Sequence, residues 1–358
     1  MGIENTSGAP QTQKVTDVIS TFRPSRLFKS PSTNTYITSL DFDDTGELAL
    51  VARTDDTLQI YNIQSGKHAK EMKSQKYGAH LARFSHHAQS LIYASTKIDD
   101  NIRYLSTHDD SFLRYFRGHT DRVTSITLSP SDDTFLSSSL DNTVKLWNLN
   151  SASPQGELRL HAPYLTAYDP SATVIAIASP STQSIVLYDL RNYDKPPFAT
   201  FDMQEIEHRY AQMGLGQRIA EGWTKLEFSN NGQYILVATN GAGHYLLDAF
   251  EGHLRAFLQK PDGPTQRAAP GDAGSTQPPG QGDAAFSPDG QFVVGGSGTP
   301  GLLVWEARGS KSADKIAKPI YDLPGTRPGA VVGYNPRYNI VVAADKEVVL
   351  WLPDPDVA

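Results

Sequence analysis

Residues 117–150 read RGHTDRVTSITLSPSDDTFLSSSLDNTVKLWNLN, and their pattern decides the fold. A Gly118–His119 pair opens the stretch, Asp141 stands in a turn, and Trp147–Asn148 closes an apolar segment. Alternation broken by turn residues every few positions marks short antiparallel strands. A four-stranded unit of this kind cannot bury both of its faces alone. The rest of the chain must therefore hold further copies that stack side by side around an axis and close into a ring.

The copies are present in register. Taking the aromatic or apolar residue that ends each third strand as the marker gives Tyr61, Leu105, Trp147, Tyr188, Leu247, Trp305 and Trp351, at intervals of 44, 42, 41, 59, 58 and 46 residues. The Gly-His to Trp-Asn spacing resembles the WD40 repeat, whose period is about 40–45 residues. The expected fold is thus all-β, a seven-bladed WD40 β-propeller. Paired strands around a polar turn recur as SLDFDDTGELALVA (39–52), EFSNNGQYILVAT (227–239), AFSPDGQFVVGGS (285–297) and VGYNPRYNIVVAA (332–344). Insertions at about 204–222 and 261–282 explain the two long intervals. The second is rich in Gly, Pro and Gln and reads as disordered.

By length alone, 358 residues suggest two or three ordinary domains, but repeat folds grow by stacking, so one propeller over 16–358 is expected. No apolar run nears 18 residues and the polar start MGIENTSGAP has no signal-peptide core, so the reading is a soluble intracellular chain without a membrane partner. Zero cysteines exclude disulfides, thiol catalysis and thiolate zinc sites. A net charge of −7 argues against broad nucleic-acid binding through a basic face. Met1–Gly2 with Thr6 fits a myristoylation pattern formally, but no second acyl or polybasic signal accompanies it.

The last marked strand, EVVLWLPD, ends too near residue 358 to leave chain for an outer strand in blade seven. VISTFRPSRLFKS (18–30) is apolar enough to supply that strand, closing the ring and removing an exposed sheet edge; residues 1–15 then form a disordered tail.

Within blade three, His119, Ser139, Asp141 and Trp147 match the buried hydrogen-bonded set of this repeat: Asp orients His, His reaches Ser, and Ser reaches the indole N–H. Leaving such a buried group without its partner costs about 1–3 kcal/mol, so the set is structural, and no catalytic triad is assigned. Asp55 and Asp345 take the turn-Asp position and Asp99 fits it loosely, whereas Thr182, Gly241 and Thr299 replace it. His86–His87 are adjacent in a turn rather than spaced as metal ligands and read as exposed. The pairs at 43–44, 55–56, 99–100, 109–110 and 132–133 fall where Asp bonds its own backbone. MGLGQR (213–218) follows no phosphate-binding pattern. No metal, no cofactor and no catalytic residue is expected. A propeller enzyme would need carboxylates or metal ligands converging on the axis from several blades, and none is read from the sequence.

Two stretches resemble one family of WD-repeat subunits more than a generic repeat: DDNIRYLSTHDDSFLRYFRGHTDRVTSITLSPSDDTFLSSSLDNTVKLWNL (99–149) and VVLWLPD (348–354), with FRPSRLF (22–28) and LLDAFEG (246–252) beside them. This is the family shared by the COMPASS histone methyltransferase and the cleavage-and-polyadenylation machinery. The likeness is strongest at IRYLSTHD (102–109) and DDTFLSSSLD (132–141), while the two insertions depart from the family's compact form. It implies a non-enzymatic nuclear scaffold, monomeric within larger complexes. Its implied partners are the methyltransferase subunit of COMPASS, with support of histone H3 lysine methylation, a cleavage-and-polyadenylation factor subunit acting in RNA 3′-end formation and transcription termination, and the phosphorylated tail of RNA polymerase II.

Both insertions join an outer strand to the next inner strand, so they emerge on the face that carries the Gly118–His119 loop. On the blade one-to-four side of that face, the inner-strand and turn positions are Tyr36, Thr38, Thr54, His80, Arg122, Thr124, Leu140 and Tyr164. Aromatic and Arg side chains are common anchors of bound segments, which makes these eight the candidate peptide-binding residues. An alternative keeps the fold: Tyr188–Asp189–Leu190–Arg191 resembles the WD-x-R motif of substrate receptors of cullin ubiquitin ligases.

Overall fold

The computed structural model describes residues 13–30, 34–87, 89–213, 222–265, 267–268 and 279–357. Each repeat forms an antiparallel sheet. Blades one to three comprise Ile37–Phe42, Leu48–Arg53, Thr57–Asn62 and Lys67–Lys73; His80–Phe84, Ser90–Ala94, Ile102–Ser106 and Phe112–Phe116; and Val123–Leu128, Thr134–Ser139, Thr143–Asn148 and Gly156–Arg159. Blades four and five comprise Leu165–Tyr168, Val174–Ser179, Ser184–Asp189 and Ala199–Asp202; and Trp223–Phe228, Tyr234–Thr239, Gly243–Asp248 and Leu254–Gln259. Blade six comprises Ala284–Phe286, Phe292–Gly295, Pro300–Glu306 and Tyr321–Pro328. All seven marker residues lie on third strands, so the repeat phase read from sequence is the phase of the structure.

Blade seven completes the ring. Its own strands are Val331–Tyr334, Val341–Ala344 and Val348–Pro353, and its outer strand is Phe22–Phe28, with Phe22 opposite Pro353 and Phe28 opposite Val348. The register shifts between Pro24 and Arg26. A proline that cannot donate to a ladder is tolerated there because the strand is an edge. The remainder of the expected closing segment is not strand. Val15–Val18 is a helical turn and Ile19–Thr21 a 3₁₀ turn, and they bury Val18 and Ile19 with Phe22 against blades six and seven. Residues 1–12, including the myristoylation pattern, lie outside the described residues.

Adjacent blades share their cores. Among the described residues, each apolar cluster joins two neighbouring sheets, and the last pairs Ile37, Val51 and Tyr61 of blade one with Val342, Val348 and Leu350 of blade seven. Polar groups repeat the same linkage at one repeat's distance. Ala82 N–H donates to Ser39 Oγ (3.1 Å), Phe84 N–H to Asp41 Oδ2 (2.8 Å) and Thr166 N–H to Ser125 Oγ (3.2 Å). Satisfying a buried donor across the blade boundary fixes the rotation of one sheet on the next.

The described parts of the inserted chain are built into the ring. After blade four, the helix Gln204–Gln212 stacks Tyr210 on Phe257 of blade five, with ring centres 4.4 Å apart and planes at 13°. Residues 266 and 269–278 of the second insertion, expected to be disordered, lie outside the described residues. Its described parts, 261–265, 267–268 and 279–282, are tied to the blades, with Arg267, Ala268 and Gln281 buried. In these described parts two polar side chains, Arg267 and Gln281, find partners on other blades. Residues 307–320 form a further excursion that the marker intervals did not reveal. Ile316–Ala317 within it adds a parallel fifth strand to blade five, beside Phe257 and Leu258.

Candidate functional site

In blade three, His119 Nδ1 lies 2.9 Å from Asp141 Oδ2 and its Nε2 lies 2.6 Å from Ser137 Oγ. The Trp147 indole N–H donates to the same Ser137 oxygen at 2.8 Å. The serine of the set is therefore Ser137, which corrects the assignment to Ser139. The register explains why. Phe135 lies opposite Trp147 and Ser137 opposite Lys145, so Ser137 is the diagonal neighbour of the indole on one face, and Ser139 is two residues further along the strand. Ser139 instead donates to Asp121 O (2.8 Å) and accepts from Asp141 N–H (3.1 Å), bracing the turn. Burial alone would raise the Asp141 pKa; hydrogen bonds from His119, Thr143 and Thr120 outweigh it and hold the carboxyl well below the usual carboxylate range.

The eight candidate residues of the loop face divide by exposure. Thr54 and Leu140 are exposed, and Tyr36, Arg122 and Tyr164 are half-buried. Thr38, His80 and Thr124 are buried, which corrects their reading as surface contacts: inner strands tuck their first residues beneath the facing turns. Thr38 donates to Ala52 O (3.3 Å), and Thr124 Oγ1 lies 2.7 Å from Tyr164 O and 2.9 Å from Ser138 Oγ. Burial pushes the His80 pKa down to about 3, with Arg122 and Arg83 adding to the effect, so its imidazole is neutral. Among the described residues no hydrogen bond or ion pair ties the Arg122 guanidinium, and its charge acts on Asp100 and His80.

The second insertion crosses the same face. Arg267 sets Nη2 2.7 Å and Nε 3.1 Å from Asp345 Oδ1, and its guanidinium carbon stands 5.0 Å from the centre of the Tyr36 ring. Gln281 N–H donates to Thr38 O (2.9 Å), and Arg83 Nη2 donates to Gln281 Oε1 (2.7 Å). Tyr36 is thus partly covered, and Thr38 buried, by the chain itself. Asp345 was expected in the blade-seven turn position, and its carboxylate serves Arg267 there.

Charged inner-strand residues of blades one, two and five act on one another electrostatically. Asp41 of blade one feels Arg83 of blade two and Lys225 of blade five, and Arg83 feels Glu227 of blade five. Burial raises Asp41 to about 6 against the pull of Arg83. Lys225 pairs with Glu227 at 2.7 Å. These groups lie on inner strands and meet only on closure, so no local motif announces them.

Of the turn acids, Asp55, Asp99, Asp109 and Asp132 each accept the N–H two residues on, and Asp43 accepts from Leu48 N–H. His86 is no free turn histidine. Nδ1 lies 2.8 Å from Asp44 Oδ2, and Nε2 lies 3.0 Å from the carbonyls of Ser129 and Asp132, joining blades one, two and three. Among the described residues no group of three or more His, Asp or Glu is arranged to hold a metal ion. Asp189 Oδ1 accepts Arg191 N–H in a 3₁₀ turn, an arrangement of ordinary turn chemistry.

The WD domain, G-beta repeat family matches residues 110–148. The chain is similar to Set1 complex component swd2 of Schizosaccharomyces pombe, at 35% identity covering 94% of this chain and 98% of the relative. WD repeat-containing protein 82 of Drosophila melanogaster is 36% identical over 95% and 96%, and COMPASS component SWD2 of Saccharomyces cerevisiae 34% identical over 89% and 91%.

Proposed function

Because the chain belongs to the WD-repeat family of Set1 complex component swd2 and WD repeat-containing protein 82, we propose that it is a non-catalytic nuclear scaffold whose propeller binds a segment of the methyltransferase subunit of a Set1-type histone H3 lysine methyltransferase complex. The observation that carries this reading is identity of about one third over nearly the whole of both chains. The structure adds support of a different kind. The Ser/His/Asp set is committed to strand packing, with Ser137 completely buried and shared between His119 and Trp147. The finer reading extends the same scaffold role to a cleavage-and-polyadenylation subunit, transcription termination and the phosphorylated polymerase tail. It rests on the family resemblance.

The peptide contacts proposed for the loop face are Tyr36, Thr54, Arg122, Leu140 and Tyr164, the candidates with surface left to offer. Affinity purification of the tagged full chain from nuclear extract, followed by mass spectrometry, is expected to recover Set1-type methyltransferase subunits and cleavage-factor subunits. Recovery of neither set overturns the reading. Arg122→Glu should weaken capture several-fold without altering the melting temperature, because a rim charge acts on association more than on the core.

A further inference from the structure

The loop face holds a guanidinium already. Arg267 is completely buried, yet its seat is made largely of residues outside its own loop: Asp345 in the turn of blade seven and Tyr36 at the lead-in to blade one. Nη2 also donates to Asp345 O at 2.9 Å and Nη1 to Pro279 O at 3.2 Å. A carboxylate on one edge of a planar fork, a backbone carbonyl beside it and an aromatic face is a combination that fits arginine and not lysine, whose ammonium has neither plane nor fork. The neighbour Ala268 is also buried, so the built-in occupant carries a small residue after the cation.

The two legs of the loop pair with each other, and the second is also held by other blades. Ala268 bridges Pro279, and Gly280 N–H donates to Ala268 O at 3.0 Å, while Gln281 is held by Thr38 and Arg83 on blades one and two. The contacts of Gln281 with Thr38 and Arg83 do not involve the Arg267 side chain. We propose that the Tyr36–Asp345 cleft is an arginine-recognition site of the loop face, and that Arg267 is its built-in occupant, which an arginine followed by a small residue in a partner segment displaces. The tether sets the threshold. A residue held on a short loop competes at an effective concentration on the order of millimolar, so only a partner with further contacts on the disc opens the cleft.

The proposal rests on the scaffold reading only for the source of the competing arginine. Its test uses the isolated chain, so its failure leaves the place of the chain in a methyltransferase complex untouched. Calorimetric titration compares the blocked peptide Gly-Ala-Arg-Ala-Gly with its Lys counterpart on wild type and Arg267→Ala. The arginine peptide should bind Arg267→Ala at least tenfold more tightly than wild type and at least tenfold more tightly than the lysine peptide does. Adding Asp345→Asn should abolish that binding. A folded Arg267→Ala that binds neither peptide, or both alike, overturns the proposal. Should Arg267→Ala not fold, Arg267→Lys is titrated instead. There the arginine peptide should again bind more tightly than to wild type, and equal or absent binding overturns the proposal.

Discussion

Blade three satisfies its buried indole from residues 119–147 of its own repeat, whereas blade five borrows the partner of its indole, and blade seven a whole strand, from chain outside the repeat. In blade three, His119, Ser137 and Trp147 form one relay. In blade five, the Trp223 indole N–H donates at 2.7 Å to Glu207 of the inserted helix, whose other oxygen accepts from Gln183 of blade four at 2.6 Å. Blade seven takes a whole strand from residues 22–28. The need is the same in each case, since a buried indole or an open sheet edge is costly wherever it occurs. Local solutions leave a motif; borrowed ones leave only an interval that is too long.

The largest effect separating the two kinds of blade is expected from truncation. Removing residues 1–30 strips the outer strand of blade seven together with Val18, Ile19 and Phe22 of its core. The product should aggregate or lack a cooperative melting transition, while removal of 1–12 should leave the transition in place. Equal melting of the two truncations would mean that the ring closes without the borrowed strand.

Next in size is the inserted helix. Tyr210→Ala removes a completely buried ring stacked on Phe257 and a hydroxyl that donates to Asp314 O at 2.7 Å. Loss of a buried aromatic side chain costs about 3–5 kcal/mol, and urea unfolding should read a change near that range. A change below about 1 kcal/mol would show that the helix is an appendage.

Blade three itself tests the local solution. His119→Ala should cost about 1–3 kcal/mol by leaving Ser137 and Asp141 poorly satisfied. A double-mutant cycle sharpens it. His119→Ala and Ser137→Ala should be non-additive, sharing one relay, whereas His119→Ala and Ser139→Ala should come closer to additivity. Strong coupling to Ser139 instead would restore the original assignment.

What was legible follows the same divide. The strand phase, the blade count and the closing strand were readable because each rests on the period of apolar residues or on counting the strands left over. Within blade three, three of four relay residues were readable, and the serine was missed by two positions because register, which decides which hydroxyl meets the indole, is a relation between strands. The docked parts of the insertions were not readable. Glu207, Arg267 and Gln281 act on partners far along the chain, and composition carries no record of where a polar side chain will land. Thr38, His80 and Thr124 were placed on the right face but at the wrong depth, since a repeat position fixes direction and not cover.

The smallest effect expected is a pH dependence set by two of these misplaced or unread inner-strand groups. His80 is held neutral with its pKa near 3, below the ordinary histidine value of about 6.5. The unfolded chain therefore takes up a proton that the folded state refuses, so the contribution of His80 is fully present above pH 6.5 and is lost as pH falls toward 3. Asp41 runs the other way. With its pKa raised to about 6, the folded state binds the proton before the unfolded chain does, and stability gains as pH falls from 6 toward 4. Between pH 6 and 4 the two slopes oppose each other, each limited to about 1.4 kcal/mol per pH unit. His80→Gln should therefore uncover the Asp41 slope, and its urea midpoint at pH 4.5 relative to pH 6.5 should exceed that of wild type. Identical pH slopes in the two proteins would return His80 to the exposed face, where its proton is free to come and go.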